Sequence, residues 1–245
     1  MKALILAAGY ATRLYPLTEN KPKALLVVKG RPIINYIVEK LNKVDEIDEI
    51  FVVTNKKFYD SFIKWNKTIK TSKPLSIIND GTEKNGKRLG SVGDINFVVE
   101  EKNITDDLLV IGSDNFFSFT VEKITNFFKK KNSTVVAVYD TKNKSRIAKK
   151  LGCVEADNDC KVIGFEEKPE HPKSTLASTC CYIFPKQDLH LIKEAIHENN
   201  FDRTGDLIKF ILSKKSVYAF AFEGYWYDIG SFDEYDIVNK EDVKL

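Results

Sequence analysis

The run Lys2-Ala3-Leu4-Ile5-Leu6-Ala7-Ala8-Gly9-Tyr10-Ala11-Thr12-Arg13-Leu14, with Pro22-Lys23 soon after it, decides how the chain reads. Leu4, Ile5 and Leu6 form a short apolar strand without polar alternation, the pattern of a strand covered on both faces. It breaks into Ala7-Ala8-Gly9, side chains small enough to let an anion approach the backbone amides. Arg13 and Lys23 then supply cations. A tight turn explains the glycine, and a solvated surface explains either cation alone. Both together, with the Thr12 hydroxyl beside them, suit a phosphate chain.

Working outward, apolar strands at 50–54, 75–78, 108–111 and 134–139 alternate with helical patterns at 32–41, 58–65, 90–100 and 121–130. Pro32 is expected in the first turn of its helix. Continuous apolar strands between amphipathic helices indicate a largely parallel sheet covered on both sides. After Asp140 the rhythm changes. Short strands at 152–155 and 161–166 flank the turn signal Asp157-Asn158-Asp159, and further strands fall at 178–184, 217–222 and 226–228. Helices follow at 187–197, 206–212 and 232–239. No linker or repeat interrupts the chain, so one domain over 1–245 is expected, with a nucleotide-binding half at 1–140 and a second half at 141–245.

With 38 basic and 35 acidic residues the net charge is only +3, which implies neither a nucleic-acid partner nor a membrane surface. No apolar run approaches the roughly 20 residues of a membrane span, and the N-terminus has no signal-peptide pattern. A cytoplasmic location is therefore expected. Lys129-Lys130-Lys131 closes a helical pattern, where cations suit the helix dipole. Cys153, Cys160, Cys180 and Cys181 lack metal-finger spacing and read as unpaired thiols.

Three further segments carry chemistry. Leu108-Leu109-Val110-Ile111-Gly112-Ser113-Asp114 delivers a carboxylate to a strand end, and Trp226-Tyr227-Asp228-Ile229-Gly230-Ser231 delivers another. Such carboxylates hold Mg²⁺ beside phosphates or simply cap turns; for Ser231 the cap is preferred. Glu166-Glu167-Lys168-Pro169 ends a strand, and alternation sends Glu167 to the face opposite Glu166 and Lys168.

Five segments in order, from Leu6-Ala7-Ala8-Gly9 through Thr12-Arg13-Leu14 and Pro22-Lys23, Leu89-Gly90-Ser91, Gly112-Ser113-Asp114, Glu166-Glu167-Lys168-Pro169 and Trp226 to Gly230, resemble the sugar-1-phosphate nucleotidylyltransferases, in particular the glucose-1-phosphate thymidylyl- and uridylyltransferases. The resemblance covers the chain to about Asn239 and implies a three-layer α/β/α Rossmann-like, GT-A-like fold with a mixed, mainly parallel sheet. It implies a reaction of NTP with sugar 1-phosphate, most simply glucose 1-phosphate with dTTP or UTP, giving NDP-sugar and pyrophosphate. Arg13 and Lys23 would be catalytic. Leu6, Ala7, Ala8, Gly9, Tyr10, Ala11, Thr12, Asn79, Gly81 and Gly90 would bind nucleotide. Gly152, Glu167 and Lys168 would bind the sugar phosphate, and Asp114 and Asp228 would hold Mg²⁺.

Several departures remain. Ala11 and Cys180 stand where the family usually has glycine, and Ile77-Ile78-Asn79-Asp80-Gly81 replaces the usual base-reading segment, leaving the base open. The end at Leu245 implies no acetyltransferase extension, and a monomer and a homodimer fit equally. Two other readings are carried: the same chemistry on phosphocholine, with Tyr225, Trp226 and Tyr227 as a cation-binding face, and a non-catalytic nucleotide-sugar sensor. Retention of Arg13, Lys23, Asp114 and Asp228 disfavours the sensor.

Overall fold

In the computed structural model, which describes residues 1–199 and 202–240, Lys2–Leu6 (β1) lies inside a nine-stranded sheet, paired in parallel on both edges. The chain continues through a small antiparallel pair, Val27–Val28 (β2) and Arg31–Pro32 (β3), to Ile33–Asn42 (α1), Glu49–Thr54 (β4), Tyr59–Asn66 (α2) and Leu75–Asn79 (β5). Then come Gly90–Glu101 (α3), Leu108–Gly112 (β6), Asn115–Phe117 (β7), Val121–Lys131 (α4) and Thr134–Asp140 (β8). The second half adds Gly152–Ala156 (β9), Val162–Glu167 (β10), Leu176–Phe184 (β11), His190–Asn199 (α5), Thr204–Lys214 (α6), Val217–Phe222 (β12), Trp226–Asp228 (β13) and Phe232–Lys240 (α7).

β6, β1, β4 and β5 are parallel neighbours at the centre of this mixed sheet. β11 runs antiparallel to both β6 and β8, and β12 lies parallel to β8. Midway along, β11 changes partner: Cys181 to Phe184 pair with β6, whereas Leu176 and Ala177 pair with β9. On its other edge the register with β8 slips between Ser178 and Tyr182. Cys180, in the left-handed region at φ 53, lies in that bulge. The sheet therefore forks between β6 and β9.

Strand residues alternate between two cores. Ala3, Ile5, Leu109 and Ile111 pack with Ile34, Phe62, Val121 and Phe128 of α1, α2 and α4. Leu4, Phe51, Val53, Leu108 and Val110 pack with Val92, Ile95, Ile192 and Leu207 of α3, α5 and α6. These are the three expected layers. In α4, the buried set Val121, Ile124, Thr125 and Phe128 follows the helical repeat, and three lysines end the helix before a left-handed Asn132.

The structure departs from the sequence reading in small places. Pro32, with ψ 141, precedes α1 rather than opening it. β2, β3 and β7 are too short for a periodic signal. All four cysteines are free, with Cys153 and Cys181 buried.

One buried carboxyl sets a pH dependence. Asp94 on α3 is 6% exposed, and its Oδ1 has no hydrogen-bond partner among the described residues. Burial, then the nearby Asp80 and Asp202, push its pKa from 3.8 to about 8 against the weaker pull of Arg88. The folded chain thus keeps a proton that the unfolded chain releases. Between about pH 4 and pH 8 the folded state binds more protons, so this group makes stability fall as pH rises through that window. Asp94→Asn is expected to flatten the slope and raise stability at pH 8 by about 1 kcal/mol or more relative to pH 5. Urea unfolding at both pH values measures it; an unchanged slope would assign the titration to another group.

Candidate active site

β1 ends beside the ends of β4, β5 and β6, the edge where open α/β sheets bind ligands. Ala7 N still donates to Val53 O at 2.9 Å. From Ala8 to Thr12, no backbone amide donates to a protein acceptor among the described residues. The carbonyls are tied back instead: Asn55 Nδ2 donates to Ala8 O and Thr18 Oγ1 to Ala11 O, both at 2.8 Å. A turn of unused amides is an anion-binding concavity. Ala11 holds a left-handed conformation at φ 48, ψ 40, which costs a residue with a Cβ on the order of 1–2 kcal/mol. Arg13 is exposed at the rim, without an ion pair among the described residues, and close to Gly230.

Asp114 follows β6 directly, and the tie from Ser113 N to Leu6 O at 3.1 Å anchors that turn to β1. The small β7–β13 sheet places Asp228 opposite Asn115. Ile229 N donates to Asp114 O at 3.1 Å, and Trp226 Nε1 donates to Asn115 Oδ1 at 2.6 Å. Residues more than a hundred positions apart thus become one carboxylate pair. Lys23, in the single turn after Pro22, donates to Asp114 Oδ2 at 2.5 Å, with side-chain exposures of 18% and 26%. Burial works against the Lys23 charge, but Asp114 and Asp228 outweigh it and hold its pKa high. Burial likewise opposes the Asp114 charge, yet Lys23 keeps that carboxyl below its usual range. Burial and then the Asp114 charge push Asp228 up.

A cleft of about 470 Å³ opens at the fork of the sheet, and Arg13, Gly152, Glu167, Lys168 and Asp228 all line it. Asp114 and Lys23 join it through Asp228. Strict alternation does not hold at the end of β10. Lys168 turns into the left-handed region at φ 50, which brings it to the cleft together with Glu167, while Glu166 pairs with Lys173 at 2.7 Å. Any side chain at Gly205 would collide with Glu167 Oε2, so a glycine in the first turn of α6 lets this carboxylate lie against it. Burial raises the Glu167 pKa, with Lys168 and Arg203 pulling the other way.

Asn79 and Gly81 lie at the end of β5, where Asn79 Oδ1 accepts from Gly81 N at 2.9 Å. The Tyr10 hydroxyl donates to Thr82 O at 3.2 Å and ties this segment to the opening loop. Gly90 starts α3 with Asp202 packed against it, and Ser91 N donates to Asp202 O at 2.8 Å. These three glycine and asparagine positions are outside the lining of the cleft.

The sequence reading missed several lining residues. Tyr182 OH lies 3.1 Å from Ser178 Oγ and 3.2 Å from Thr204 Oγ1, a hydroxyl chain along one wall. Cys180 sits beside it, its thiol pushed up to about 12 by burial and the Asp114 charge. Nothing local marks them, because α6 meets β11 only in the fold. Glu234 was legible as a capping box with Ser231: Glu234 N donates to Ser231 Oγ at 3.3 Å, and Gly230 N donates to Glu234 Oε2 at 2.9 Å.

Residues 2–244 match the family described as Nucleotidyl transferase. The chain is 34% identical over 234 residues to the bifunctional protein GlmU of Methanocaldococcus jannaschii, covering 94% of this chain and 51% of the relative. It is 31% identical over 252 residues to the glucose-1-phosphate adenylyltransferase of Clostridium novyi, covering 95% and 64%. It thus spans about half to two thirds of the length of these relatives. A UDP-glucose pyrophosphorylase crystallised with UDP-glucose superposes with a TM-score of 0.80 at 22% identity, over 97% of this chain and 96% of that one, a likeness of fold. By the family match, the order of its motifs and its fold, the chain belongs to the nucleotidyl transferase family.

Proposed function

We propose that the chain transfers a nucleotidyl group from an NTP to a sugar 1-phosphate, releasing pyrophosphate, with glucose 1-phosphate and dTTP or UTP as the favoured pair. One observation carries this reading: Asp114, ion-paired with Lys23 at 2.5 Å, and Asp228, which lines the cleft with Glu167 and Lys168, form one carboxylate pair tied to the end of β1, and the amides that follow β1 are unused. A phosphate oxygen of the sugar attacks the α-phosphorus in line; that P–O bond forms as the bond to pyrophosphate breaks. No covalent enzyme intermediate is needed, so the site acts by positioning and charge neutralisation.

The loop amides and Arg13 hold the triphosphate. Lys23 meets the charge developing on the α-phosphate. Lys168 holds the acceptor phosphate, and Glu167 with the Gly152 backbone takes ring hydroxyls. Asn79, Gly81 and Gly90 belong to the base side. Asp114 and Asp228 fit Mg²⁺ as hard oxygen donors, and the described residues hold no cluster of three or more metal-ligating side chains. Two carboxylates leave coordination positions for phosphate oxygens. Bound there, the ion supplies charge neutralisation at the reacting phosphates. The nucleotide half, 1–140, and the sugar half, 141–245, work as one domain, as the pairing of β11 with β6 supports.

Phosphocholine fits less well. Trp226 is buried and hydrogen-bonded, and Tyr225 stacks on Phe116 at 5.5 Å, so two of the three aromatics serve packing.

Asp114→Asn and Asp228→Asn are each expected to lower pyrophosphate release by on the order of a hundredfold or more. A coupled phosphatase assay measures it, and full activity in both would overturn the metal assignment. Lys168→Ala is expected to raise KM for the sugar phosphate about tenfold or more while KM for the NTP changes little; equal changes would move Lys168 off the acceptor. A screen of the common NTPs against hexose 1-phosphates and phosphocholine tests the whole reading, and silence throughout would favour a nucleotide-sugar sensor.

A further inference from the structure

Two cations in the cleft have no task in the reaction above. Arg146 and Lys150 line it beside Gly152, Glu167 and Lys168. They belong to the turn between β8 and β9, built from the single helical turn Lys144–Arg146 and the bonds Ala148 N to Lys144 O at 3.1 Å and Lys150 N to Ile147 O at 3.0 Å. Ile147 is fully buried and pins the turn to the core. Lys149 N donates to Pro169 O at 2.8 Å, fixing the turn beside Lys168. Although Lys149 between them is left-handed at φ 60, Arg146 and Lys150 both reach the one cleft.

Three nearby lysines are neutralised, and Arg146 and Lys150 are not. Lys149 pairs with Glu170 at 2.6 Å, Lys142 with Asp140 at 2.8 Å and Lys173 with Glu166 at 2.7 Å. Among the described residues, Arg146, Lys150 and Lys168 make no ion pair, and Glu167 is the acid facing them from β10. Cations gathered without partners raise the local concentration of anions. Lys168 accounts for the reacting phosphate of the acceptor. The surplus is two charges, placed on the stretch that leads into Gly152, where the sugar ring is proposed to lie.

We propose that Arg146 and Lys150 bind a second anionic group on the acceptor, which narrows the acceptor named above from glucose 1-phosphate itself to a hexose 1-phosphate that also carries a ring carboxylate or a second phosphate. This rests on the nucleotidyl-transfer reading for the direction of the acceptor but is separable from it by experiment. The guanidinium of Arg146 provides the planar fork that matches carboxylate or phosphate oxygens, and Lys150 adds a point charge.

The test measures calorimetric affinity for three acceptors: a hexose 1-phosphate, the matching hexuronic acid 1-phosphate and a hexose 1,6-bisphosphate. The wild type is expected to bind one of the doubly anionic acceptors about tenfold more tightly than the neutral-ring sugar, the worth of one charge-assisted contact. Which of the two binds more tightly identifies the anion as carboxylate or phosphate. Arg146→Ser with Lys150→Ser is expected to erase that preference, and Lys149→Ser, on the outward side of the same turn, to retain it. Equal affinity for all three acceptors in the wild type would overturn the proposal. So would a double variant that loses affinity equally for all three, which would assign both cations to the reacting phosphate. Pyrophosphate release in the same samples tests the reaction separately: selective binding without release would overturn nucleotidyl transfer and leave the anion site standing.

Discussion

The ion pair between Lys23 and Asp114 is the interaction on which the rest of the site depends. β7 and β13 bring two carboxylates together in a place where burial raises both. Without a cation, one of them would have to keep its proton. Lys23 resolves this in favour of Asp114, and Asp228 absorbs the remaining repulsion as a raised pKa. Removing one partner of this half-buried pair would leave the other charge without compensation. Lys23 is thus the counter-ion of this pair, besides the reaction role proposed for it. The extended Pro22, at φ −65 and ψ 142, sets the entry to its turn.

Among the described residues nine non-glycine residues hold a positive φ, and three of them belong to the site. Ala11, Lys168 and Cys180 are residues with a Cβ in the left-handed region, at φ 48, 50 and 53. Each sits where regular structure is abandoned: the turn after β1, the exit of β10 and the bulge of β11. Such backbone persists only where surrounding packing over-determines it. At Lys168 the gain is visible, because one left-handed residue brings Glu167 and Lys168 to the same cleft.

The parts of this fold that were legible in the sequence are those set by local pattern. β1, β4 and β6 read as strands because each is apolar throughout, and Asp114 read as a site residue because it ends such a strand. Asp228 was legible as a carboxylate entering a glycine turn, but its meeting with Asp114 depends on three-residue strands far apart in sequence. Alternation failed at Lys168, since period-two reasoning assumes the strand continues. Tyr182 and Thr204 gave no signal because their contact comes from packing α6 on β11. Arg146 and Lys150 were hidden among lysines whose pairing only the fold decides.

The cleft's charges are segregated by chain segment, and this gives the acceptor a direction. Asp228, Asp233 and Glu234 come from β13 and the start of α7; Arg146, Lys150 and Lys168 come from the turn before β9 and the end of β10. Glu167, set among cations that oppose the rise in its pKa, and Arg13, close to Gly230, are the exceptions. An anionic acceptor is repelled from the first wall unless a metal ion screens it and is attracted to the second in any case. In the proposed reaction its phosphate must nevertheless approach Asp228. An acceptor with a single anion is drawn to two places at once, whereas one with a second anion can satisfy the basic wall and still extend its phosphate toward the carboxylates. Orientation in this cleft is then set by charge before any ring hydroxyl meets Glu167.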